Sequence, residues 1–408
     1  MKCRHCGAEL ELPLIDLGSA PPSNAYLSAA GLREPEKWFP LRVLVCTACF
    51  LVQTEDFARA TELFDAEYAY FSGFSSSWLA HAERFVTQMI ARLALDRHSQ
   101  VIEVASNDGY LLQYVRAKGI PCLGIEPTAS TAAAARGKGI EVIEEFFGNR
   151  LGASLAAQGR SADLLVANNV LAHVPDINDF VSGFSQLLKP SGVASFEFPH
   201  LLRLIDENQF DTIYHEHFSY LSLTSVEHIF DAGGLSVFDV EELPTHGGSL
   251  RVLAQRAEGG GRERTPAVGA LRARELAAGL AGRDYYAGCQ RRFEELKDEF
   301  VAFLIRARAQ GRRVAAYGAA AKGNTLLNFA GVRADLISLV ADRNPAKQGK
   351  FLPGSRIPIV PEQVLREARP DYVVILPWNL RSEVTQQLAY IRDWGGSFVT
   401  AVPRLEVS

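Results

Sequence analysis

Apolar runs of strand length recur along the chain, each closed by a turn signal and followed by a stretch of helix length; this alternation predicts a parallel α/β architecture. Val101, Ile102 and Val104 form a buried strand, Ala105-Ser106-Asn107-Asp108-Gly109 a tight turn, and Tyr110-Leu111-Leu112 the start of a helix. Gly124-Ile125 then gives a second strand that ends at Glu126-Pro127, and Gly139 to Ile143, Asp163 to Ala167 and Gly192 to Pro199 continue the pattern. A second set begins with Arg313-Val-Ala-Ala-Tyr317, turns at Gly318, enters a helix with Lys322-Gly323-Asn324-Thr325, and adds strands at Leu336 to Asp342 and Asp371 to Pro377. Between the sets, Arg256 to Pro266 contains Gly259-Gly260-Gly261 and reads as a linker, while Phe293, Leu296, Phe300 and Phe303-Leu304 recur at helical spacing as core. A further helix is expected from near Ser77, after the aromatic and serine-rich loop Glu67 to Trp78.

The 408 residues are enough for two or three domains, and the net charge of −5 argues against a broad nucleic-acid surface. Met1-Lys2 runs directly into Cys3, so no signal peptide is expected, and no apolar run reaches the roughly eighteen residues of a membrane span. A cytoplasmic location, with no nucleic-acid or membrane partner, is the expectation. Four of the six cysteines form two Cys-x-x-Cys knuckles, Cys3/Cys6 and Cys46/Cys49, separated by 39 residues. Such knuckles offer four thiolates to a tetrahedral, structural Zn²⁺, a staple that a module of roughly fifty residues needs. The segment Pro13 to Arg42 must then loop out and return.

In an open α/β sheet the ligand binds beyond the carboxyl ends of the strands. Glu126 stands where a carboxylate can accept both ribose hydroxyls, and Glu103, Ala105, Asn107, Asp108, Gly109 and Pro127 complete that half-site. One glycine and nearby acids suit a pyrophosphate poorly. A cationic donor without phosphate fits, and S-adenosylmethionine (SAM) is the common one. Asn168, Asn169 and His173 follow another strand end and should face the ligand. Tyr214-His215-Glu216-His217-Phe218-Ser219-Tyr220 gathers imidazoles, phenols and a carboxylate. His215 and His217 are two apart, not the four of a helical zinc-protease motif, so general acid/base work is the better reading. In the C-terminal set, Lys322 with Gly323 and Asn324 at a helix start suits a phosphate. Asp342 to Gly349 is placed for a base or ribose, and Tyr68 and Tyr70 are candidates to line the cleft.

Taken in order, the knuckles, Glu103 to Leu112, Ala167 to Asp176, Tyr214 to Tyr220 and Tyr317 to Asn324 resemble the zinc-containing, SAM-dependent sugar C-methyltransferases over essentially the whole chain. The resemblance implies an N-terminal zinc-binding module (residues 1–66), a central Rossmann-like class I methyltransferase domain (67–255) and a C-terminal Rossmann-like α/β domain (256–408) holding a nucleotide-sugar. It further implies a dTDP-linked 4-keto-deoxysugar as acceptor, its C3 proton removed and the enolate methylated. His217 is then the base, Glu216 orients it or contacts the sugar, Tyr214 and His173 stabilise the enolate or shuttle the proton, and Tyr68 completes the cleft. Donor binding does not report the acceptor atom, so O- or N-methyl transfer is the alternative; a nicotinamide-dependent oxidoreductase lacks its Gly-x-Gly-x-x-Gly turn. Oligomeric state, a monomer included, is left open.

Overall fold

The structure, a computed structural model, describes residues 1–57 and 72–408. Its centre is a seven-stranded sheet whose order is β10-β11-β8-β7-β4-β5-β6. Here β4 is Val101–Val104, β5 Cys122–Ile125, β6 Glu141–Ile143, β7 Ala162–Asn168, β8 Leu188–Pro199, β10 Leu235–Leu243 and β11 Ser249–Arg256. The strands β4 to β8 run parallel and the hairpin β10–β11 closes one edge antiparallel. Strand β4 lies between β5 and β7, so the chain leaves it to one side and later returns to the other; the crevice at this switch point is the natural ligand site of a doubly wound sheet.

The C-terminal sheet repeats the device, with order β14-β13-β12-β15-β16-β17. Its strands are β12 (Val314–Tyr317), β13 (Val340–Ala341), β14 (Ile359–Val360), β15 (Tyr372–Ile375), β16 (Ser397–Thr400) and β17 (Glu406–Val407). The run expected from Leu336 is a strand only at Val340–Ala341. The switch point falls between β12 and β15, which carry the Gly318 turn and Pro377. At Gly318 (φ +86°) a Cβ would stand 2.5 Å from Pro377 Cδ, so only glycine lets the two loops close on each other. The segment expected as a linker is tied down instead. Thr265 N–H donates to the Phe238 carbonyl, and the buried Glu275 of the helix Pro266–Ala278 accepts from the Leu223 and Thr224 amides, leaving that helix packed on the central domain.

A four-stranded sheet, β1 (Leu12–Ala20), β2 (Phe39–Val45), β3 (Val52–Thr54) and β9 (Ser219–Tyr220), joins the two domains. Its apolar face, Leu14, Ile15, Leu17, Val43 and Val45, belongs to the core of the C-terminal domain, whereas Cys3, Leu10, Cys46, Cys49 and Leu51 pack into that of the central domain. The four cysteine sulfurs lie within 4.8 Å of one another, with Cys3–Cys49 at 3.6 Å and Cys6–Cys46 at 3.4 Å. A tetrahedron with Zn–S bonds of about 2.3 Å has sulfur–sulfur edges of about 3.8 Å. The donor set therefore fits zinc. Gln53 Nε2 donates to the sulfur of Cys3 at 3.2 Å, and the backbone of Gln53 pairs with Ser219, two residues from His217.

Protein purified without chelator should carry about one zinc per chain, and Cys46→Ser should lose it. Because the metal-bearing sheet includes β9, turnover should fall by tenfold or more while SAM affinity changes by less than about threefold, reflecting a loss local to the β3–β9 seam. Metal analysis and calorimetry on the same preparation check both parts; equal loss of donor binding and turnover would contradict the local picture.

Candidate active site

Both switch points open into one cavity of about 1180 Å³ between the central and C-terminal domains. On the central side Ala105 (φ +55°), Asn107 (φ +50°) and Gly109 (φ +75°) alternate in the left-handed region, so the turn has the form of a glycine-rich loop with glycine at only one of those positions. Adding a Cβ at Gly109 would put it 2.4 Å from Ile140 Cδ1, and at Gly124 it would lie 2.4 Å from Ser106 Oγ; both glycines let the turn seat against the sheet. Glu126 crosses the turn: Oε2 accepts the Asn107 amide and Oε1 the Thr128 amide, each at 2.9 Å. This holds the carboxylate rigid, with lone pairs left for a ligand. Asn168 and Asn169 at the end of β7 line the same wall.

The facing wall is built from the segment after β8. Thr325 Oγ1, on the helix Ala321–Phe329, donates to the Ile213 carbonyl at 2.8 Å, and Thr54 Oγ1 donates to the His217 carbonyl at 3.2 Å. The segment is thus held from both neighbouring domains. Within it His217 Nδ1 donates to the Thr212 carbonyl at 2.8 Å, which leaves Nε2 as the lone-pair nitrogen of a neutral ring. The His217 ring stands 3.9 Å from that of Tyr214 and 4.6 Å from that of His173. Burial drives the His217 imidazole well below its ordinary 6.5, reinforced by the proximity of His173, Lys322 and His246. Burial likewise lowers His173 and His246 to about 4. The cluster is neutral at physiological pH and able to accept a proton.

Glu216 is held by Asn24, whose Nδ2 donates to Oε1 at 2.7 Å; Asn24 comes from the loop between the knuckles. The Thr212 carbonyl orients the His217 ring, and Glu216, expected to orient that ring or contact the sugar, lines the same cavity. A buried network backs the cavity: Glu197 receives His81 Nε2 at 2.9 Å, Arg251 Nη2 at 2.8 Å and Thr245 Oγ1 at 3.0 Å. Trp78 stacks on His81 and leans on His246, whose backbone is also left-handed (φ +55°).

Three family models cover most of the chain: a zinc binding domain at residues 3–64, a methyltransferase domain at 78–240, and a C-methyltransferase C-terminal domain at 244–403. The C-methyltransferase NovU of Streptomyces niveus is 35% identical over 407 residues, covering 100% of this chain and 96% of that protein. The chain belongs to the zinc-containing, SAM-dependent C-methyltransferase family. Among solved structures, the magnesium protoporphyrin IX methyltransferase of Synechocystis with bound SAH is 15% identical, with a TM-score of 0.35 over 44% of this chain and 83% of its own. A SAM-dependent methyltransferase of Clostridium acetobutylicum is 14% identical, with a TM-score of 0.35 over 44% of this chain and 91% of its own.

In this C-methyltransferase, Ala105, Asn107, Glu126, Pro127, Asn168 and Asn169, expected to bind the donor, line the cavity. The other expected donor residues stand behind them. Glu103 is fully buried, and its burial raises it well above the ordinary carboxylate range; Asp108 pairs with Lys138 at 3.2 Å. Among the expected acceptor residues Lys322 and Asp342 line the cavity, but Gly323 and Asn324 do not. Gly323 packs under Leu376, where a Cβ would lie 2.8 Å from its Cβ, and Asn324 Nδ2 donates to the Ser23 carbonyl at 2.6 Å inside the core. Both contacts pack the helix against its neighbours. Asp342 accepts the amides of Ala319 and Asn344, bracing the Gly318 turn. Tyr68 and Tyr70 lie outside the described residues. The sequence reading missed Asn24, His246 and the Asp211–Trp378–Asn379 group; of these only His246, before Gly247-Gly248, carried a local signal.

Glu126→Ala should weaken SAM by about ten- to a hundredfold, the roughly 1.5–3 kcal/mol of a charged hydrogen-bond acceptor. Calorimetry giving unchanged affinity would move the ribose contact elsewhere. The neutral histidines also make stability depend on pH. An unfolded chain protonates them from about pH 6.5 downward, whereas the folded His173 and His246 resist until about 4, so the native state binds fewer protons in that window. Stability should therefore fall as pH drops from about 6.5 to 4, and His246→Asn should flatten part of that slope in denaturant titrations.

Proposed function

We propose that this C-methyltransferase acts on a nucleotide-linked 4-keto-deoxysugar, removing the proton on the carbon beside the ketone and methylating the enolate. The observation that carries the reading is the His217 ring, neutral, fixed at Nδ1 by the Thr212 carbonyl, and lining the same cavity as the Glu126 turn. A carbon acid needs a base that is unprotonated at working pH, and burial provides one without a charged partner.

His217 Nε2 takes the proton, the C–H pair becomes a carbon–carbon π bond, and the carbonyl π pair moves onto oxygen. Tyr214, whose ring is 3.9 Å from that of His217, and His173 are the donors proposed to steady that oxygen or pass the proton onward. SAM, when bound, would be held against Glu126 and would supply an electrophilic methyl group; the enolate π pair would form the new carbon–carbon bond as the carbon–sulfur pair leaves on sulfur. Asn24, by holding Glu216, brings the zinc-bearing module to the acceptor. The nucleotide diphosphate is assigned to the C-terminal side, where Arg343 and Lys347 line the cavity beside the Gly318 turn. A hydroxyl acceptor could use the same base, so carbon as the acceptor is favoured by the family rather than by the histidine. A small-molecule acceptor of dTDP-linked type and a cytoplasmic setting complete the proposal.

Incubation with SAM and a panel of nucleotide-linked 4-keto-deoxysugars should yield a product heavier by one methylene. His217→Asn should lower turnover at least about a thousandfold with SAM affinity kept, and Tyr214→Phe should cost about ten- to a thousandfold. Methylation restricted to hydroxyl or amine acceptors, or near-normal turnover by His217→Asn, would overturn the reading.

A further inference from the structure

The helix Ala321–Phe329 enters the site through Lys322, and the side chain is held by groups unrelated to phosphate binding. Nζ donates to Asn379 Oδ1 at 2.8 Å and sits 4.8 Å from the centre of the Trp378 ring. Trp378 Nε1 in turn donates to Oδ2 of the fully buried Asp211 at 2.7 Å, and Asp211 Oδ1 has no hydrogen-bond partner among the described residues. Asp211 immediately precedes Thr212, whose carbonyl fixes the His217 ring. The same helix is pinned to this segment by the Thr325–Ile213 hydrogen bond. One short contact region therefore sets the positions of both the base and the ammonium group.

From this geometry we infer that Lys322 is a catalytic residue of the central reaction, its ammonium group donating to the ketone oxygen of the acceptor and stabilising the enolate that His217 generates. The inference rests on the enolate chemistry proposed above. In that step the proton goes to His217 Nε2, which becomes imidazolium, the C–H pair becomes the new π bond, and the negative charge arrives on oxygen, where the Lys322 ammonium supplies a cation of its own. The charge of Lys322 is felt at His217, His246 and Asp211 alike, which places it among the acid/base groups. Burial lowers the lysine and Asp211 raises it again, so the carboxylate behind the indole supports the charged form. A preorganised cation aimed at developing charge in a water-poor site is the arrangement that most reduces such a barrier. Phosphate charge is left to Arg343 and Lys347, which line the cavity farther along the C-terminal turn.

The test compares Lys322→Gln with wild type, using dTDP as the binding probe and dTDP-linked 4-keto-6-deoxyglucose as the reacting one. With S-adenosylhomocysteine in place of SAM, wild type should exchange the proton beside the ketone with deuterated water. The variant should bind dTDP and SAM within about threefold of wild type, yet lose about a hundred- to a thousandfold in both exchange and turnover. Small primary amines added to Lys322→Ala should restore part of the exchange. A tenfold or greater loss of dTDP affinity with unaltered turnover at saturation would make Lys322 a phosphate ligand and overturn the inference, as would an unchanged exchange rate. Should the glutamine variant fail to fold, Lys322→Arg decides: turnover within about tenfold of wild type supports a role for the charge, and a loss as deep as that of His217→Asn rejects it. If wild type exchanges and methylates while Lys322→Gln matches it, only the lysine's role falls. If wild type neither exchanges nor methylates any 4-keto-deoxysugar, the proposed reaction falls and takes this inference with it.

Discussion

Four thiolates brought within 4.8 Å of one another form an arrangement that a bound cation must hold, and the rest of the molecule is arranged around that constraint. The knuckles lie in the core of the central domain while the sheet between them lies in the core of the C-terminal domain. The N-terminal module is thus a wedge common to both. Through β3 and β9 it holds one end of the Tyr214–Tyr220 segment, and through Asn24 it reaches Glu216. The long segment between the knuckles has a physical purpose: Leu27 bridges to Phe351, Glu36 pairs with Arg356 at 2.9 Å, and Tyr26 donates to the Ala319 carbonyl. A shorter connection could bind the metal but could not span the cleft.

Desolvation is the second organising influence. A histidine paired with a carboxylate would be a stronger base but would be protonated more readily; removal from water lowers the imidazole instead and keeps it ready to accept a proton. The same low-dielectric surroundings make unpaired charge expensive, so the ionised groups near the cavity are heavily partnered. Glu197 takes hydrogen bonds from His81, Arg251 and Thr245, and Arg251 also reaches Glu241 at 2.7 Å. Breaking such a buried network by removing one partner costs about 3–5 kcal/mol, although a well-packed apolar replacement of the whole could be neutral. Rigidity is what it contributes here: Thr245 precedes His246, and Trp78 lies between His81 and that ring.

Much of this was legible in the sequence wherever chemistry is local. Two Cys-x-x-Cys knuckles define their own geometry, a strand ending in Glu126 places a carboxylate at a sheet edge, and alternating apolar runs gave both doubly wound sheets. The left-handed conformations of Ala105 and Asn107 were hidden because the residues filling glycine's usual positions are not glycine. Partners distant in sequence were hidden for a different reason. Nothing near Glu216 announces Asn24, 192 residues away, and nothing near Lys322 announces Asp211. Lys322-Gly323-Asn324 looked like a phosphate turn because a helix start with a lysine has that form. Burial of Gly323 against Leu376 and of Asn324 against Ser23 is a tertiary event that no local pattern records.

The two switch points meet in one cavity with opposite electrical character. The central turn presents Glu126 with both oxygens anchored, whereas the C-terminal side brings Lys322, Arg343 and Lys347. A sulfonium donor and the diphosphate-bearing acceptor proposed above would be attracted to different walls, so each could bind without competing for the other's site. The acid/base segment runs between those walls, fastened to the metal-bearing sheet at one end and to the Lys322 helix at the other. Attack by carbon on a methyl group requires donor, base and enolate oxygen to keep their relative positions to within a fraction of an ångström, a demand that a loop alone meets poorly. Anchoring this segment to the metal-bearing sheet and to the Lys322 helix fixes it relative to both walls at once.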